Sequence, residues 1–300
     1  MRRFENQAAI NTNLRAHVVT TSEDQNMRQF TISIFVFIAC FTTYGQVKVN
    51  PNGRFFNYNG TRIYYEDTGN GEPLLLLHNF FNTADCWNPH VKVYSKQFRT
   101  IAVDMMGHGR SDIYKKEDTI FRHEDYAKMI LALLDSLKLY NVNAIGASSG
   151  GTTLHFLNTM QPDRFKAVIT VGGHIYYSKQ AREWITKTGL EQFKEGAKYH
   201  GPEKQEYLAR VFWEGRKLYG EASFTPDILN TIKAKWLVVL GDNDFAIPVQ
   251  LGMEMYQNIP NSRLWIVPNG GHFPHLDAGI QPEFLRVSLE FLNGKWDEND

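Results

Sequence analysis

The sequence predicts an α/β fold: a mostly parallel, doubly wound sheet interrupted by a helical cap insertion. Three observations predict it. Short, continuous apolar runs recur at Leu74-Leu75-Leu76-Leu77, Thr100-Ile101-Ala102-Val103, Val142-Asn143-Ala144-Ile145, Ala167-Val168-Ile169-Thr170-Val171 and Trp236-Leu237-Val238-Val239-Leu240. Such runs suit strands covered on both faces of a parallel sheet. Helical patterns separate several of them, as with Tyr126, Ile130, Leu131, Leu134 and Leu137, spaced to turn one apolar stripe toward a sheet. One interval, from Val171 to Trp236, holds roughly sixty residues rich in Lys, Glu and aromatics, more than a crossover helix needs.

The remaining elements follow in order. Arg54 to Tyr58, a turn at Asn59-Gly60 and Thr61 to Glu66 read as a β-hairpin ahead of the parallel strands. Thr152 to Met160 continues as a helix directly after the Val142 strand. Thr225-Pro226 pairs a capping residue with proline at the first helical position, so a helix starts there and returns the chain to the sheet. Leu264-Trp265-Ile266-Val267 is the last strand. At 300 residues, 43% hydrophobic and 21% charged, the chain suits one such domain with an insertion. Lys plus Arg and Asp plus Glu both number 32, which leaves no global field to attract nucleic acid or an anionic membrane.

The first fifty residues have a different character. Positions 1–26 are polar and aperiodic, and Met27-Arg28 then opens a cationic stretch ahead of Ile32-Ser33-Ile34-Phe35-Val36-Phe37-Ile38-Ala39. That layout is a signal peptide: its apolar run is about a dozen residues, short of the ~20 that span a bilayer, and it ends at Thr42-Thr43-Tyr44-Gly45-Gln46. A start at Met27 fits the same layout. Export to the periplasm or the extracellular space is expected, with cleavage after Gly45 and no integral membrane span in the mature protein. Phe37-Ile38-Ala39-Cys40 resembles a lipoprotein processing site, but Phe is a poor fit for its first position, so cleavage is preferred to acylation at Cys40. Cys86 would then be the sole cysteine, and no disulfide follows. The division is therefore 1–45 as N-terminal extension and signal peptide, 46–174 as the first part of the sheet domain, 175–233 as the cap and 234–300 as the second part.

Gly146-Ala147-Ser148-Ser149-Gly150 fits G-x-S-x-G between a strand and a helix, the context that presents a serine hydroxyl on a sharp turn. Glycines there let backbone pass without a Cβ clash, a clearance expected from Gly150-Gly151. A serine hydroxyl is a weak nucleophile until a base takes its proton. Among ten histidines, His272 stands in Gly270-Gly271-His272-Phe273-Pro274-His275 on the loop after the last strand; His275 lies past Pro274, at the start of the final helix. His78 has a structural role in its loop, and His123, His155 and His174 default to surface or packing roles. The base in turn needs a carboxylate to fix its tautomer. Gly241-Asp242-Asn243-Asp244-Phe245-Ala246-Ile247-Pro248 follows the Trp236 strand and offers Asp242 and Asp244.

These residues resemble the serine-nucleophile α/β-hydrolase fold superfamily over 53–293. The resemblance rests on His78 after the third strand, Asp104-Met105-Met106-Gly107-His108-Gly109-Arg110-Ser111 after the next, the serine elbow, Gly241 with Asp244 and Pro248, and Gly271-His272. It implies Ser148 as nucleophile, His272 as base, Asp244 rather than Asp242 as the acid, and a non-catalytic, loop-shaping Asp104 segment. It also implies an oxyanion hole from the backbone N–H groups of Phe80 and Ser149. The family's His-Gly pair is His78-Asn79 here, and asparagine would keep the loop's shape by adopting positive φ. The implied reaction is hydrolysis of an ester or related acyl bond of a small molecule through an acyl-enzyme, with no metal or organic cofactor. Carbon–carbon bond hydrolase, lactonase, peptidase and perhydrolase activities use the same triad, and a non-catalytic binding protein is the rival from another class. Serine at the elbow argues against dehalogenases and epoxide hydrolases, which use aspartate. The aromatics of the cap, Trp213 among them, are expected to select the acyl or alcohol group.

Overall fold

A short hairpin opens the sheet. In the computed structural model, which describes residues 50–114, 122–215, 217 and 221–296, β1 (Gly53–Tyr58) pairs antiparallel with β2 (Thr61–Thr68). Asn59 and Gly60 both take positive φ, 50° and 82°, as the tightest hairpin turn demands. β2 then pairs antiparallel with β4 (Phe98–Val103). The other pairings are parallel, through β3 (Glu72–Leu77), β5 (Val142–Ala147), β6 (Phe165–Val171), β7 (Lys235–Gly241) and β8 (Ser262–Val267), in the order β1-β2-β4-β3-β5-β6-β7-β8.

The leucine run shows why the strands read as continuous apolar segments. Leu74 to Leu77 are all fully buried, with Leu75 and Leu77 in one core and Leu74 and Leu76 in the other. At about 2 kcal/mol for each fully buried leucine, alternate residues stabilise opposite faces of one strand. On one face lie α1 (Asn88–Tyr94) and α8 (Gln281–Leu292), contributing Tyr94, Phe284 and Phe291. The other face takes α2 (His123–Ser136), α3 (Ser149–Met160) and α7 (Val249–Asn258), through Ile130, Leu134, Leu154, Leu157 and Met255.

Strand order reverses at β3: β4 lies on one side and β5 on the other. Ligand sites of open α/β sheets form at such a switch point, outside the carboxyl ends of the strands. Leu77 is in register with Gly146, so the loops leaving β3 and β5 start side by side.

Between β6 and β7 lie α4 (Lys179–Ala197), α5 (Pro202–Gly215) and α6 (Pro226–Leu229). α4 is broken at Gly189, whose φ of 76° and ψ of 167° suit only glycine. The helix expected from Pro226 is a single turn capped by Thr225, because the chain must extend by Lys235 to enter β7. His275 likewise lies in a 3-10 turn, Pro274–Leu276, and α8 starts only at Gln281. No described helix is long and apolar enough to cross a membrane. The expected signal peptide and Cys40 lie outside the described residues.

Candidate active site

Ser148 stands between β5 and α3 with φ 50° and ψ −114°, a conformation costing a non-glycine residue about 1–3 kcal/mol. The elbow persists because its surroundings leave no alternative. A Cβ on Gly146 would lie 2.5 Å from the Gly150 carbonyl oxygen, and one on Gly150 would lie 2.4 Å from that of Leu77. The tight clearances thus fall at Gly146 and Gly150, whereas Gly151 has 3.0 Å.

The histidine loop after β8 carries His272 to the elbow. Its Nε2 lies 2.9 Å from Ser148 Oγ, and its Nδ1 lies 2.6 Å from Asp244 Oδ2. The Asp244 side chain is fully buried; its other oxygen accepts the Ala246 and Ile247 N–H groups at 2.8 and 2.9 Å. Those bonds fix the carboxylate's orientation, and a carboxylate beside Nδ1 selects the tautomer whose Nε2 accepts a proton. Asp242, two residues earlier, is exposed. Gln180, on α4, donates to the Asp244 backbone carbonyl at 2.8 Å and ties the insertion to this loop.

The loop after β3 departs from expectation. Asn79 does not take positive φ; Phe81 does, at 66°. Asn82 N–H donates to the Asn79 carbonyl at 3.1 Å, closing a tight turn in which Phe81 is the third residue, the position that takes positive φ in the type II form. The Asn79 side chain serves the turn instead, donating to the Phe80 carbonyl at 2.9 Å and accepting from Asn82 Nδ2 at 3.2 Å. Phe80 and Ser149 both line the cleft at Ser148. Ser149 is the first residue of α3, so its N–H has no carbonyl one turn earlier within the helix.

His78 has the expected structural role: its Nδ1–H donates to the Asn79 carbonyl at 2.8 Å and its Nε2 accepts the Met105 N–H at 2.9 Å. Burial pushes its pKa down to about 4, so it is neutral at pH 7. Asp104 is a loop anchor. Burial alone would raise its carboxyl, but the hydrogen bonds and charge of Arg110 hold it below the usual carboxylate range.

The cleft is partly open to solvent and has aromatic walls. Tyr177, Trp184 and Phe212 reach it from the insertion; Phe80, Phe81, Phe245 and Phe273 come from the strand loops. Trp213 does not line it and packs toward Phe193 instead. His174, for which the sequence indicates only a surface or packing role, lines the cleft, with Nδ1 3.0 Å from Thr152 Oγ1. His123 and His155 are buried rather than superficial. The described residues contain no cluster suited to holding a metal ion.

Residues 72–190 match a family model described as the α/β hydrolase fold. A carboxylesterase of Bacillus subtilis is 27% identical over 257 residues, covering 78% of this chain and 84% of the relative. The 2-hydroxy-6-oxo-6-phenylhexa-2,4-dienoate hydrolase of Burkholderia cepacia is 24% identical, covering 84% and 96%. Among solved structures, a meta-cleavage product hydrolase from Pseudomonas fluorescens superimposes with a TM-score of 0.70 at 18% identity, covering 81% of this chain and 98% of that one. The chain has the α/β-hydrolase fold and is a hydrolase.

Proposed function

We propose that the protein is a carboxylesterase-like serine hydrolase that cleaves an ester or related acyl bond of a small, uncharged molecule through an acyl-enzyme. The observation that carries this is the continuous relay from Asp244 Oδ2 through His272 to Ser148 Oγ, at 2.6 and 2.9 Å. Ser148 Oγ attacks the carbonyl carbon while His272 Nε2 takes its proton, and the carbonyl electrons move onto the oxygen. The N–H groups of Phe80 and Ser149 stabilise that oxyanion. As the carbonyl re-forms, the bond to the alcohol breaks and His272 returns the proton to the leaving oxygen. Water, deprotonated by His272, then attacks the acyl-enzyme, and the acid and free Ser148 result. No cofactor enters these steps.

The wall of the cleft supports an uncharged substrate. Its lining among the described residues is aromatic and aliphatic apart from Asn79, Ser148, Ser149, His174 and His272, and contains no Lys, Arg, Asp or Glu. A substrate carboxylate buried there would lack a countercharge, which disfavours it by several kcal/mol. This argues for neutral esters over the dienoate named for the Burkholderia relative, whose carbon–carbon bond hydrolysis is the second reading.

The test is a fluorophosphonate probe followed by a substrate panel. Labelling should fall on Ser148, and Ser148→Ala should abolish labelling and lower turnover by on the order of 10⁴-fold or more. Neutral esters should be hydrolysed faster than a ring-cleavage dienoate; the opposite ranking would establish carbon–carbon bond hydrolysis. Export is part of the same proposal, with an unlipidated mature chain beginning near Gln46, supported by the apolar run from Ile32 to Ala39. Mass spectrometry of the exported protein checks it, and a retained Met1 or an acylated Cys40 would contradict it.

A further inference from the structure

Phe81 is held in a backbone conformation disfavoured for phenylalanine, and both polar groups of its backbone are tied by histidines. Its N–H donates to His108 Nε2 at 3.2 Å, and its carbonyl accepts from His200 Nε2 at 2.9 Å. Each imidazole is fixed in one tautomer by a second backbone bond. His108 Nδ1–H donates to the Met106 carbonyl at 3.0 Å, and His200 Nδ1 accepts the Gly109 N–H at 2.9 Å. The two rings stand edge to face with centroids 5.4 Å apart.

The anchors have different origins. His108 belongs to the sheet domain, in the loop after β4, whereas His200 belongs to the insertion, in the short link between α4 and α5. The insertion also grips the Phe81 ring, which stacks on Phe193 of α4 at 5.8 Å and meets Phe212 of α5 at 5.2 Å. Without these contacts a phenylalanine at φ 66° would relax toward negative φ, which rotates the neighbouring peptide planes and re-aims the Phe80 N–H. An oxyanion donor must stand within about 0.2 Å of its best distance to be effective, so small rotations here matter.

We infer that His200 is a positioning residue: through its bond to the Phe81 carbonyl, the insertion holds the oxyanion loop in the strained turn that aims the Phe80 N–H. This rests on the serine-hydrolase reading and adds to it a route by which the insertion governs turnover without touching substrate. Seating of the insertion and completion of the oxyanion hole become one event.

The experiment exploits the two faces of the imidazole. A glutamine amide reaches the place of Nε2 and can still donate to Phe81, while asparagine reaches only the place of Nδ1 and can still accept from Gly109. His200→Asn should lower kcat by about 10-fold or more, with KM changed less than about 3-fold, because removing an oxyanion donor outright costs about 10²–10³. Inhibition by a trifluoromethyl ketone, which adds Ser148 Oγ and places an alkoxide in the hole, should weaken by a factor similar to the fall in kcat. His200→Gln should recover most of both losses, with thermal unfolding of the two variants measured alongside. If the variants lose kcat equally, or lose activity only in proportion to folded protein, His200 is merely structural and the inference is overturned. Failure of the fluorophosphonate to label the wild-type protein would instead overturn the serine-hydrolase reading itself.

Discussion

Gly172 lies directly against the imidazole of His272. A Cβ there would stand 3.0 Å from Nδ1 and Cε1 and 2.9 Å from the His272 carbonyl oxygen, and Gly172 has φ 61°. Gly172 is the first residue after β6, with its N–H donating to the Val239 carbonyl at 3.0 Å, so it cannot retreat without disturbing the sheet. The imidazole of His272, the proposed base, is therefore seated on a surface that only glycine provides.

Gly172→Ala should push His272 away from Ser148. Displacements near 1 Å in a reacting group cost about 10²-fold, and alanine at positive φ adds about 1–2 kcal/mol of strain. The expected outcome is a fall in kcat of about 10- to 100-fold with only a modest loss in melting temperature. Activity within 2-fold of wild type would show that the loop absorbs the methyl group.

Asp244→Asn should damage turnover far more than Asp242→Asn. Asp244 Oδ2 contacts His272 Nδ1 and the amides of Ala246 and Ile247 hold its other oxygen, while Asp242 is exposed. An asparagine at 244 presents either a misdirected donor or a neutral acceptor to the imidazole, and the corresponding loss in a serine protease triad is about 10⁴. Equal effects from the two substitutions, measured as kcat on a neutral ester, would remove Asp244 from its assigned role.

Buried histidines should make the fold acid-sensitive. Burial pushes His78 and His90 down to about 4 and His155 down to about 3, from an ordinary 6.5. The folded chain therefore binds fewer protons than the unfolded chain between those values. The contribution to stability is fully present above about pH 6.5, and it is lost progressively as pH falls toward 4 and 3. Between pH 7.5 and 5.5 each of the three should cost on the order of 1 kcal/mol. Urea unfolding at the two pH values checks this, and an unchanged midpoint would contradict it.

The sheet and the elbow were legible in sequence because their signals are local. A strand covered on both faces must be apolar throughout, as Leu74 to Leu77 are, and the turn at Ser148 needs small neighbours within two residues on either side. Other features depend on distant partners. The tolerance of Asn79 points to positive φ there, but in the turn closed by the Asn79-to-Asn82 hydrogen bond it is Phe81 that takes it, and His108, His200 and Phe193 hold it there. Gly172 carries no motif of its own, since its requirement comes from a histidine a hundred residues later. His174 reaches the cleft through the path of the chain leaving β6, which its neighbours in sequence do not reveal.

Substrate selection should reside in Trp184 and Phe212 rather than Trp213. Adjacent residues on a helix differ by about 100° of rotation, so composition alone cannot say which ring of the Phe212-Trp213 pair faces the cleft; packing decides, and it turns Phe212 inward. Phe212 also meets Phe80 at 4.8 Å and Phe81 at 5.2 Å, joining the wall of the cleft to the oxyanion loop, whereas Trp184 meets Phe245 at 4.8 Å beside the aspartate. Truncating Trp184 to alanine opens space against the cleft without touching the oxyanion loop, so it should change relative kcat/KM between short and long acyl esters by roughly 1–3 kcal/mol. Phe212→Ala should shift the same preference and in addition lower kcat for every ester, because it removes a support of Phe81. Trp213→Ala, outside the cleft, should leave the preference within about 0.5 kcal/mol of wild type and act through stability. Kinetics on an ester series from acetate to octanoate separate these outcomes; a change of preference in Trp213→Ala as large as in Trp184→Ala would show that the rings act by packing the insertion and not by lining the cleft.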